Sequence, residues 1–139
     1  MAIDSNSKEN PGILNKAKAL FGKQVEGIVR QEKKLIELIQ SVLGKLSKVA
    51  HNPKVQKLIE PIQIFVRMTK AHFRGEHKIA LSTLGLIVLA LVYFVSPLDF
   101  IPDFLGVIGF ADDLSVVLAV YAKVKGEVEE FLEWERTQG

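Results

Sequence analysis

Four carboxylates, Asp99, Asp103, Asp112 and Asp113, fall within 15 residues of an otherwise apolar stretch. Carboxylates that close together can gather a hard cation such as Mg²⁺, Ca²⁺ or Mn²⁺, or pass protons, and ionisable groups at membrane depth are functional by default. Their neighbours favour a structural role instead. Ser96-Pro97-Leu98-Asp99 has the form of a helix start, with a serine cap, proline at the first position and an acid at the third. Pro102 limits that turn, Gly106 and Gly109 permit tight backbone, and Asp112 and Asp113 then fall where the next helix dipole favours negative charge. Capping accounts for each acid without a ligand, so no metal or cofactor is expected. His72 and His77 are spaced poorly for one helix face and lack an acidic or thiol partner nearby, so they read as solvated or headgroup-facing. With no cysteine in 139 residues, thiol catalysis, disulfides and thiolate metal sites are excluded. Paired-carboxylate hydrolysis needs a substrate cleft that nothing in the sequence suggests. A non-enzymatic protein is expected.

The elements that hold these residues are all helical. Residues 1–12 are polar, contain Pro11 and Gly12 and lack an apolar targeting core, which predicts a disordered leader and a cytoplasmic location for the soluble part. From Leu14 the apolar residues step by three and four through Ala17, Phe21, Val25, Ile28, Leu35, Ile39, Val42, Leu46 and Val49, with Glu32 interrupting. Ile13, Leu20, Val29, Ile36 and Leu43 widen that stripe. The spacing predicts one long amphipathic arm, read as a bundle helix before a coiled coil or a membrane-surface helix. His51-Asn52-Pro53 ends it, with Asn52 expected to cap a second helix that Pro61 kinks or divides. Residues 13–77 thus form a basic arm, and residues 78–139 a hydrophobic hairpin whose last helix ends acidic.

Charge separates along the same boundary. Residues 1–78 hold 15 Lys/Arg and 7 Asp/Glu, a net +8, whereas residues 79–139 hold 3 and 9, a net −6. Phe21, Phe65 and Phe73 sit at apolar-face spacing, and no nucleic-acid-binding motif is present, so nucleic acid is not the expected partner. Anionic lipid is, through Arg67, Lys70, Arg74 and Lys78, which precede a 17-residue uncharged run at 79–95. A helix of that length reaches about 25 Å, a little short of a hydrocarbon core of about 30 Å. Lys78 can snorkel at one end and Tyr93 sits near the other like an interfacial aromatic. The second apolar stretch, 104–122, contains Asp112 and Asp113, and would insert poorly alone.

The run at 93–117 resembles the YkvA-like family, domain of unknown function 1232. The resemblance rests on Tyr93, Ser96, Pro97, Asp99, Ile101, Pro102, Asp103, Gly109, Phe110, Asp112, Asp113 and Leu114. It covers about residues 78–121, less than a third of the chain, and implies a small, multi-pass membrane-associated helical hairpin with no established activity. The expectation is an all-α protein, an amphipathic helical arm plus a C-terminal hydrophobic helical hairpin. It would act at the cytoplasmic face of a membrane, hairpin inserted or re-entrant, as an anchoring or interaction module. A soluble bundle that binds a protein partner or a second copy, and an ion-binding or transport-related subunit using the aspartates, are the alternatives.

Overall fold

The computed structural model describes residues 11–53, 55–95 and 116–138. The fold is all-α. The described helices are α1 (Pro11–Val29), α2 (Glu32–Val49), α3 (Gln56–Phe73), α4 (Leu81–Val95), a helical segment α5 at 116–123, and α6 (Lys125–Gln138). Backbone bonds from Val124 N–H to the Val120 carbonyl (2.9 Å) and from Val128 N–H to the Val124 carbonyl (2.9 Å) join α5 to α6.

The expected single arm is two helices. Gln31 takes an extended conformation (φ −126°, ψ 115°) between α1 and α2. The break adjoins Glu32, where the apolar series skips from Ile28 to Leu35. With no side chain there to bury, continuing the helix would gain little, and turning lets both halves pack on α4. The stripe itself is buried: Leu14, Ala17, Phe21, Val25 and Ile28 on α1, and Leu35, Leu38, Ile39, Val42 and Leu46 on α2. Ile36 and Leu43 do not widen it. They are 47% and 42% exposed on the outer side of α2.

Asn52 is not the cap of the next helix. Its carbonyl accepts from Val55 N–H at 2.9 Å in a turn, and Val55 is the cap residue of α3. Nor does Pro61 divide α3, which runs unbroken past it. Pro61 lies in the second turn and is buried, so its apolar ring offsets the lost backbone bond.

α4 is the centre of the described bundle. It packs against α1, α2 and α3, and residues 87–94 are all buried. A helix apolar on every side is satisfied by neighbours on every side. Tyr93 is 4% exposed, with its ring edge-on to Phe21 at 5.4 Å, and so does not act as an interfacial aromatic. Lys45 of α2 donates to the Phe94 carbonyl and lies 4.8 Å from that ring, placing a cation at the end of α4 where the helix dipole favours it.

Candidate functional site

Ser96, Pro97, Asp99, Pro102, Asp103, Gly109, Asp112 and Asp113 lie outside the described residues. Among the described residues no group of three or more His, Asp or Glu side chains could hold a metal ion.

His72 and His77 are structural rather than solvated or headgroup-facing. α3 ends at Phe73, and Gly75 turns the chain with φ +74°, a conformation that glycine adopts without a side-chain clash. The chain then passes back over His72, whose Nδ1 accepts from Ile79 N–H at 3.0 Å. That bond satisfies a backbone donor just ahead of α4 and requires a neutral ring protonated on Nε2. His77 packs against Phe131 and Trp134 of α6, at ring distances of 5.5 and 5.1 Å. Sequence reasoning missed both roles, because each partner is set by the fold rather than by spacing.

Burial, and secondarily the charge of Lys78, hold the His72 imidazole below its ordinary value of 6.5. The unfolded chain therefore binds more protons than the folded one as pH falls below that value, so stability is full above it and is lost through the folded value. The denaturation midpoint should fall between about pH 7.5 and pH 5, and His72→Asn, which keeps an acceptor but does not titrate, should flatten that slope. Urea titrations of both proteins across this range provide the check.

The four predicted lipid-facing cations do not form one site. Arg67 forms a two-pronged pair with Glu135 of α6, at 2.8 and 3.1 Å. The pair is 44% and 31% exposed, so Arg67→Ala should cost only about 0.2–1 kcal/mol. A double-mutant cycle with Glu135→Gln measures that directly. Lys78 is exposed on the loop beside His72. Lys70 and Arg74, one turn apart near the end of α3, do come together. They border a groove of about 370 Å³ between α2 and α3. Leu35, Ile39 and Phe73 contribute to its apolar lining, the exposed Ile36 and Leu43 lie along it, and Glu32 is the acidic lining residue. Ile36 and Leu43 are seven residues apart and therefore share a helix face. This groove offers exposed aliphatic side chains next to two cations.

The described fold defines a class: a small helical bundle built round one largely apolar helix, with a basic, partly apolar outer face. A family model described as a protein of unknown function (DUF1232) matches residues 83–119, from the first turn of α4 into α5. The uncharacterized membrane protein YkvA of Bacillus subtilis (strain 168) is 32% identical over 80 residues, covering 57% of this chain and 76% of that relative. The chain belongs to the YkvA-like DUF1232 family. No solved structure matches it. Although the relative is called a membrane protein, no described helix of this chain is long and apolar enough to cross a membrane. α4, at 15 residues, is about 22 Å long, against a hydrocarbon core of about 30 Å.

Proposed function

We propose that the protein is a non-catalytic, membrane-associated helical module that docks at the cytoplasmic face on anionic lipid through the α2–α3 groove. The observation that carries this reading is the exposure of Ile36 and Leu43 beside Lys70 and Arg74. Aliphatic side chains can enter the headgroup boundary while the cations meet lipid phosphates, at about 1 kcal/mol for each Lys or Arg near the surface. The membrane name of the Bacillus subtilis relative supports the same reading. Insertion of the hydrophobic hairpin is not part of it, because exposing α4 would strip the core from α1, α2 and α3.

Sedimentation of the full chain with vesicles of phosphatidylglycerol and phosphatidylcholine, compared with phosphatidylcholine alone, tests the proposal. Binding should need the anionic lipid and weaken with salt. Equal binding to both vesicles would sink it, and would turn the groove towards a protein helix or a second copy of the chain.

A further inference from the structure

A second cavity, of about 530 Å³, lies between α1, the start of α4 and the junction of α5 and α6. It shares no lining residue with the α2–α3 groove. Its volume is in the range of cavities that hold small organic ligands. The walls are largely aliphatic, with Val25, Leu86, Leu89 and Val124 contributing. Lys18 and Lys123 bring cations from two different helices, and Glu127 is the acidic lining residue. The balance of lining charge is positive.

Thr83 singles this cavity out. Thr69 and Thr83 are the buried polar residues among those described, 1% and 5% exposed. The Thr69 hydroxyl donates to the Phe65 carbonyl at 2.9 Å. The Thr83 hydroxyl has no hydrogen-bond partner among the described residues, and Thr83 lines the cavity. A buried hydroxyl without a protein partner is costly, and a bound polar group at the cavity wall is one way to satisfy it. Thr83 stands in the first turn of α4, where backbone N–H groups lack helical acceptors and the dipole favours an anion. An unpartnered hydroxyl, two lysines and a helix start lie beside an aliphatic chamber, which matches a molecule with an anionic head and an alkyl chain.

We infer that this cavity binds one anionic amphiphile, its phosphate or carboxylate head at Thr83, Lys18 and Lys123 and its chain along Leu86 and Leu89. The inference goes beyond surface docking and does not depend on it. Gly22 and Gly85 give a way to close the chamber, because both line it and a Cβ at either meets no atom within 4 Å.

The test uses the full chain and lysophosphatidic acid kept below its micelle concentration, read by native mass spectrometry and thermal unfolding. A one-to-one complex is expected, with a midpoint rise of roughly 5–10 °C at about 100 times Kd. Thr83→Val should weaken binding about tenfold while leaving the ligand-free midpoint unchanged or higher. Lys18→Gln with Lys123→Gln should weaken it by a similar factor. Gly85→Leu, and separately Gly22→Leu, should fold and bind nothing. Uncharged monoacylglycerol should bind at least tenfold more weakly, and inorganic phosphate alone should give no shift. Passing the protein over phosphatidylglycerol vesicles and weighing it again distinguishes a diacyl lipid drawn from the bilayer from a free single-chain amphiphile, either retained species supporting the inference. Failure to form the complex, full retention of binding in both folded glycine variants, or a full shift from phosphate alone would overturn it.

Discussion

Ile87→Lys unfolds the protein, or leaves it with a small fraction of its stability. Ile87 is fully buried in the middle of α4, where α1, α2 and α3 exclude water. The longer lysine side chain overfills a packed site, and its ammonium has no carboxylate on α4, which carries no ionisable acid or base but Tyr93. The two effects together cost about 4 kcal/mol or more, a large part of the 5–15 kcal/mol that holds a typical domain folded. Leu81→Lys is the control. Leu81 begins the same helix but is 69% exposed, so the change should stay within about 0.5 kcal/mol. Urea denaturation followed by circular dichroism compares the two. A wild-type midpoint for Ile87→Lys would mean that α4 is not the centre of a packed bundle.

The second large effect concerns the groove. Lys70→Gln with Arg74→Gln should lower affinity for phosphatidylglycerol vesicles by about 2 kcal/mol, or roughly thirtyfold, at low salt. Arg67→Gln should change it little, because Arg67 is already neutralised by Glu135. Replacing Ile36 and Leu43 with Gln removes the aliphatic contribution without touching the charges, and should also weaken binding while preserving the fold, since both side chains are exposed. Loss of binding in Arg67→Gln with retention in the Lys70, Arg74 variant would move the docking face from the groove to the α3–α6 side.

How much of this was legible in the sequence depends on the distance over which each feature is decided. The stripe from Leu14 to Ile28 and the one from Leu35 to Leu46 were readable because helical periodicity is local, and the structure buries them. The break at Gln31 was signalled only by Glu32, one polar residue in an apolar series, which was too little to distinguish a pause from a turn. Ile36 and Leu43 fit the edge of the stripe equally well as core or as outer face, and only the packing of α3 and α4 decides which. The run at 79–95 posed a deeper ambiguity. A helix apolar all round meets its needs in lipid or among other helices, and composition does not separate the two. Basic residues ahead of the run suggested lipid, but Arg67 is committed to Glu135, which is remote in sequence. The Ser96–Leu114 run, which carries most of the family motif, lies outside the described residues. Thr83 gave only a faint signal, a polar residue within an apolar run, and the α1 and α5–α6 residues that make it part of a cavity are far from it in sequence.

On a membrane, α4 stays packed in the bundle while the α2–α3 groove meets the lipid. Hydrogen–deuterium exchange of the full chain, alone and on phosphatidylglycerol vesicles, tests it most directly. Amides at 87–91 should exchange slowly in both conditions, while vesicles slow exchange on α2 around Ile36 and Leu43 and at the end of α3 around Lys70 and Arg74. Faster exchange across α1 and α3 on vesicles, with α4 still protected, would contradict it, because α4 would then have left its partners for the bilayer.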